Sequence, residues 1–420
     1  MIETLRSESG TGRFDWWRES TPDARRALAA ASFGWMLDSF DVMLYALVLA
    51  SLILDLGLTK QAAGILGSIT LVTAAAGGLI FGVIADRFGR TRALIWSVLI
   101  YAVFTAACGF AHNVAQLAIF RILLGIGMGG EWASGAALVS ETWPDKHRGK
   151  ALGIMQSFWA IGYALAALAA GLILPWKGWR PVFFVGILPA FFTLWVRRGV
   201  KEPEVWTHRA TPPHDRQRNG FRRILEKDLR PITIAVTSMN ACCLFAWWGF
   251  NLWVPAYLSL PRSRGGMGFS AHAMSATVVA MQCGMWVGYV SFGFLSDYFG
   301  RKPCYVTYLL CASVLMFFYG RVHTPWLLLA LGPLMAFFGT GYFSGFAAVT
   351  SEIYETCIRA TALGFTYNVG RIASAAAPFA VGSMAQQHGF GIAFSIAGAA
   401  FVVAALCWIR IPETKGRPLI

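Results

Sequence analysis

Apolar runs of about twenty residues recur twelve times along this chain of 420 residues, and they constrain it more than any other feature. A run of that length, at 1.5 Å per residue, crosses a hydrocarbon layer of about 30 Å as a helix. The predicted limits are 27–54, 62–85, 93–111, 115–139, 151–174 and 180–198, then 231–258, 272–295, 303–321, 325–349, 360–385 and 390–410. Composition agrees: 56% of residues are hydrophobic and only 13% charged, against roughly 25% charged in soluble domains. A disordered chain, a secreted disulfide scaffold and an ordinary cytosolic enzyme are excluded. The expected fold class is all-α, a polytopic membrane protein of twelve helices in two six-helix bundles.

Residues 1–26 hold no apolar run of signal-peptide length and no small-residue cleavage site, so no cleaved signal is expected. The stretch 199–230 is long and polar and carries Pro212-Pro213. It reads as a linker between bundles at 27–198 and 231–410, with 411–420 as a tail. Of the 35 Lys and Arg, 27 fall in the N-terminus, the even-numbered loops and the C-terminus, six in odd-numbered loops and two within spans. By the positive-inside rule both termini and the linker are expected to be cytoplasmic. The net charge of +14 is therefore read as topological, with attraction to anionic lipid as a side effect and no nucleic-acid partner. Eight cysteines lie in or beside apolar segments without CxxC or metal-ligand spacing, so no metal or cofactor is expected.

Two blocks repeat at one offset. Gly82, Asp86, Gly89 and Arg90 correspond to Gly293, Asp297, Gly300 and Arg301, a shift of 211, and Glu141, Arg148 and Gly153 correspond to Glu352, Arg359 and Gly364 at the same shift. The chain is two copies of one six-helix unit, in the same orientation because six is even. Such units face each other about an axis along the membrane normal, with a cavity near mid-depth.

The run Gly82-x-x-x-Asp86-Arg87-x-Gly89-Arg90-x-Arg92 resembles the cytoplasmic loop signature of the major facilitator superfamily. Arg121-x-x-x-Gly125-x-Gly127 is similar to that superfamily's proton-coupling motif, and Glu141 to Arg148 and Pro412-Glu413-Thr414-Lys415-Gly416 are similar to elements of its sugar-porter-like branch. The resemblance implies a transporter of the major facilitator fold. Carboxylates and arginines at helix ends pair in one conformation and part in another. Asp86, Arg87, Arg90, Asp297, Arg301, Glu141, Arg148, Glu352 and Arg359 are therefore gate candidates, beside the plainer reading of topology-setting charge.

Ionisable groups near a bilayer centre cost roughly 2.5–3.5 kcal/mol and suggest function by default. Asp38 and Asp41 stand 11 and 14 residues into the first span, about 17 and 21 Å deep. Their spacing puts them on one helix face, where two carboxylates do not both ionise comfortably, and this makes them proton-coupling candidates. Arg371, 11 residues into the eleventh span, carries an always-charged fork suited to a carboxylate. It is a candidate for binding substrate or for acting as fixed counter-ion to Asp38 or Asp41. Arg121 is expected to partner an Asp of the first span and Glu131 to be a second proton site, against snorkelling and structural pairing. Asn251, Trp248, Gln156, Gln282, Tyr367 and Asn368 are candidates for the cavity wall, whose aromatic and amide character suits an organic ligand.

Asp38-Ser39-Phe40-Asp41 resembles the first-span motif of acid:proton symporters of the superfamily, with Ser39 in place of the usual Gly. Gly370-Arg371-Ile372 resembles their eleventh-span arginine site, and Gly129-Gly130-Glu131 and Glu141-Thr142-Trp143-Pro144 the sialate/monocarboxylate branch. The resemblance implies a monomeric, proton-coupled symporter of a small organic acid in a bacterial inner membrane. The alternatives are a sugar or polyol porter and a non-transporting nutrient sensor. A membrane enzyme is set aside, since no nucleophile–base pair is found.

Overall fold

The structure, a computed structural model, describes residues 15–143, 145–191, 222–355 and 358–415, and among them every regular element is helical. The side chains of Asp86, Arg90, Glu131, Glu141 and Arg148 lie outside the described set, as does most of the 199–230 stretch. A helix stands at each expected span. We label them α1 (Pro22–Asp55), α2 (Lys60–Phe88), α3 (Arg90–Cys108), α4 (Val114–Thr142), α5 (Asp145–Lys177) and α6 (Arg180–Phe191) in the first half. The second half holds α7 (Arg230–Ser259), α8 (Ala271–Phe299), α9 (Arg301–Tyr319), α10 (Pro325–Ile353), α11 (Arg359–Ser374 with Ala377–His388) and α12 (Phe390–Cys407).

Among the described residues nine of these helices are long and apolar enough to cross a membrane. The others have particular reasons. In α4 the apolar part is Val114–Gly129, and α6 is described as far as Phe191. The helix α11 is interrupted and carries Tyr367, Asn368 and Arg371.

Several helices outrun the apolar runs that announce them, because capping continues outside the hydrocarbon. In α1 the Thr21 side chain accepts the Ala24 N–H, Pro22 begins the helix and Asp23 sits in its first turn. Asn113 and Ser270 cap α4 and α8 in the same way. Without a hydrophobic drive between helices in lipid, close packing has to supply cohesion, and small residues permit it. A Cβ added at Gly129 of α4 would overlap the Ala74 carbonyl of α2, and one at Gly162 of α5 would overlap the Met36 carbonyl of α1.

Two helices of the second half are broken by proline. Pro255 follows the interruption of α7 at Leu252–Trp253, and Pro378 follows that of α11 at Ala375–Ala376. Proline has no N–H to give the carbonyl four residues back. The Asn251 carbonyl freed in this way accepts the Tyr163 hydroxyl of α5 at 3.2 Å, and Trp253 Nε1 donates to Pro378 O at 2.9 Å, tying the two breaks together.

An even number of crossings leaves both chain ends on one side, here called the termini side; the other is the far side. The halves touch along α5 and α8 and along α2 and α11. On the far side polar bonds cross between them. Lys60 Nζ donates to Ala385 O at 3.0 Å and lies 4.8 Å from the Phe390 ring centre, the Lys60 N–H donates to Gln386 Oε1, and the Phe379 N–H donates to Ser68 Oγ.

Candidate functional site

A cavity lies between the halves. Among the described residues its wall is Trp35 of α1, Met128 of α4, Gln156 and Trp159 of α5, Leu244, Trp247 and Trp248 of α7, Tyr289 of α8, Phe343 of α10, and Tyr367 and Arg371 of α11. Tryptophans dominate it and join the two halves. The Trp35 and Trp159 ring centres are 4.5 Å apart, Trp159 and Trp247 are 5.7 Å apart, and Trp247 and Trp248 stand edge to face at 4.7 Å. Such edge and offset arrangements suit the ring quadrupole. The position of Trp159 is fixed in part by its neighbour helix, because the Ser39 hydroxyl of α1 donates to the Trp159 carbonyl at 2.8 Å.

Arg371 is 6% exposed and faces this cavity from the second half. Asp38, on α1 of the first half, is 1% exposed, and Arg371 is the cation whose charge acts on it. The two are not in ion-pair contact, and Asp38 Oδ2 has no hydrogen-bond partner. Tyr367 stands close to both. In a water-poor interior a separated pair of this kind still interacts strongly, because little solvent screens it. Asp41 has a different setting, enclosed within the first half. Thr105 of α3 is its polar neighbour, a Cβ at Gly186 of α6 would stand 3.2 Å from its Oδ1, and neither carboxylate oxygen has a hydrogen-bond partner. Neither Asp belongs to the cavity wall itself.

The structure does not bring Arg121 against either carboxylate. Its guanidinium carbon lies 3.6 Å from the Tyr45 ring centre and its Nε donates to Leu66 O at 3.2 Å, so a π-face and a backbone carbonyl accommodate the buried charge. Glu131 lies outside the described side chains.

Of the amide candidates, Gln156 lines the cavity and faces Tyr289. Asn251 and Asn368 spend their N–H groups within their own helices, on Trp247 O and Gly364 O. Gln282 is buried on α8, outside the cavity wall, with neither amide atom partnered. Trp35 and Trp159 were not foreseen from the sequence. The available signal was a Trp well inside a span, since Trp used as a membrane anchor sits at the interface.

The gate candidates of the second half form one cluster on the termini side. Arg301 pairs with Asp297 at 2.6 Å and with Glu352 at 2.9 Å, and the Thr414 hydroxyl also donates to Glu352. Glu413 accepts the N–H groups of Arg301 and Lys302, which caps the start of α9. Arg359 donates to Ser351 O. Arg87 is exposed, and Asp86, Arg90, Glu141 and Arg148 fall outside the described side chains.

Two six-helix halves around a central cavity, with charge buried on both sides of it, define a secondary transporter. The chain belongs to the Major Facilitator Superfamily, whose family model matches residues 31–264 and 259–419. It is 34% identical to the "Probable 4-methylmuconolactone transporter" of Cupriavidus pinatubonensis, over 96% of this chain and 94% of that one. It is 30% identical to the cis,cis-muconate transport protein of Acinetobacter baylyi, over 90% and 92%. Among solved structures the D-xylose-proton symporter shares the fold, with a TM-score of 0.77 and 21% identity over 94% of this chain and 100% of that one. The chain is a multi-pass membrane transporter and not an enzyme.

Proposed function

We propose that this protein is a proton-coupled symporter of a small organic acid anion, working by alternating access in a bacterial inner membrane with both termini cytoplasmic. The observation that carries this reading is Arg371: a permanently charged fork on the cavity wall, with no described carboxylate in ion-pair contact and Asp38 near enough to feel its charge. A guanidinium presented in this way matches a carboxylate in two-point geometry. The names of the muconate and methylmuconolactone relatives point to the same substrate class.

The proposed cycle follows from charge. A substrate anion on Arg371 occupies the charge that otherwise balances Asp38, so Asp38 gains from taking a proton as the anion arrives. Asp41, on the same helix face, is its proton-exchange neighbour. The loaded cavity is then closer to neutral, which lowers the cost of closing it away from water. The halves rock about the cavity, with the Arg301–Asp297–Glu352 cluster acting as a termini-side gate. On the far side bonds join the halves.

Reconstituted protein in proteoliposomes tests this. Uptake of labelled organic acids is expected to rise with an inward proton gradient, and uptake indifferent to the gradient would remove the symport claim. Arg371→Lys is expected to weaken acid binding about tenfold or more by loss of the fork. An unchanged apparent affinity would remove direct contact.

A further inference from the structure

Ser275, Gln282 and Tyr289 of α8 are polar and stand about two turns apart, on one face of the helix. The first and last of them meet α5 of the other half. A Cβ added at Gly171 would lie 2.7 Å from Ser275 Oγ, and Tyr289 faces Gln156. The rotation of α8 is fixed independently, since a Cβ at Gly284 or Gly288 would overlap the Pro333 or Phe337 carbonyl of α10. Gln282 therefore points into the seam between the halves, opposite the α5 stretch that carries Ala160, Ala164 and Ala167.

Those alanine side chains offer an amide nothing. Gln282 is 2% exposed, and among the described residues neither Oε1 nor Nε2 has a hydrogen-bond partner. Ser275 Oγ is buried and unpartnered as well. The Tyr163 hydroxyl, on the same stretch of α5, donates to Asn251 O instead. A glutamine between membrane helices acts as glue when it is paired. Unpaired, it forfeits hydration without replacement, and folded proteins leave few groups in that state. The cost attaches to one arrangement, the one in which α5 and α8 lie together. Ser275 is one turn from the far-side start of α8, Gln282 lies about 17 Å along the helix, and Tyr289 reaches the wall of the central cavity. The three mark a line from the far side to the cavity.

We propose that the α5–α8 seam is the far-side passage of this transporter and that Ser275 and Gln282 line it. When the seam parts, the Gln282 amide meets water and the polar groups of the passing solute. Nothing in this depends on the solute being an acid.

The test uses the full chain in nanodiscs, which leave both faces open to a water-soluble maleimide, with labelled sites read by mass spectrometry. Ser275→Cys puts a thiol on the line, and Cys243, buried in the second half, reports unfolding. The introduced thiol is expected to label about tenfold faster than Cys243 or more, because the seam opens without unfolding. Gln282→Met keeps the length of the side chain and removes both hydrogen-bonding groups. It is expected to raise the thermal transition and to slow labelling at position 275 about 5- to 100-fold. Gln282→Leu, a second apolar replacement, is expected to move both readings the same way. Labelling at position 275 no faster than at Cys243 would overturn the passage. A lowered thermal transition with labelling unslowed in both variants would overturn the role of the amide. Either result would leave the organic-acid reading standing, since no substrate is present.

Discussion

The two ends of the molecule use polar bonds in opposite ways. On the far side, bonds cross from one half to the other: Lys60 to Ala385 and Gln386, Ser68 with Phe379, and Tyr163 with Asn251. On the termini side the described cluster stays within the second half, where Arg301, Asp297, Glu352, Glu413 and Thr414 bind one another. One set closes a passage and the other makes a half rigid. Rocking needs both, because a half that flexes internally would not carry motion from one face to the other. The far-side bonds are also individually modest, which suits the proposed cycle, in which they would break at each turn.

The largest expected effect separates these roles. Glu352→Gln leaves Arg301 without its better-buried partner, both side chains being only 14% exposed, and should cost about 2–4 kcal/mol of stability. Thermal or denaturant unfolding in detergent measures this. Unchanged stability would mean that the cluster does not brace the second half. Next in size, Lys60→Met removes a charged donor from a buried carbonyl, worth about 1.5–3 kcal/mol. The far side should open more often, seen as hydrogen exchange about 10- to 100-fold faster over residues 60–68 and 377–388. Exchange that accelerates on the termini side instead would invert the comparison.

Tyr163→Phe removes one neutral bond and should speed exchange around Asn251 by a few-fold to about tenfold, corresponding to about 0.5–1.5 kcal/mol. The smallest effect concerns Glu413. Burial opposes its charge, but the N–H groups of Lys415, Arg301, Lys302 and Thr414 outweigh that and hold the carboxyl below its ordinary value of 4.5. A lowered value in the folded state means that its stabilisation is complete at neutral pH and is lost as pH falls below about 4.5 through the folded value. The stability gap between the natural protein and Glu413→Gln should therefore shrink on acidification. It should be small throughout, because the group is partly solvated.

The spans were legible because apolar length is a local property and lipid penalises any alternative. The repeat was legible because 211 residues separate both matched blocks. Arg371 could be singled out by depth alone, since a charge 11 residues into a span has few reasons to be there. Partners were not legible in the same way. Arg121 looked like a mate for Asp38 or Asp41 by helix position, yet it turns to Tyr45 and Leu66, because helix rotation is set by packing and not by charge alone. Lys60 counted only as a loop charge, since its role depends on the last turn of a helix more than 300 residues away. Asn251 and Asn368 offered amides by composition, but a polar side chain within a helix can always turn to a carbonyl one turn back, and both do so.

The proline interruptions of α7 and α11 divide each helix unevenly. The long inner rod carries the cavity-facing side chains Trp247, Trp248, Tyr367 and Arg371, and the short outer rods pack on α1 and α2 of the first half. Trp253 Nε1 and Pro378 O join the two breaks by a hydrogen bond. In the proposed cycle such breaks would let the outer segments tilt while the inner rods keep their shape, so that opening one side need not disturb the cavity wall.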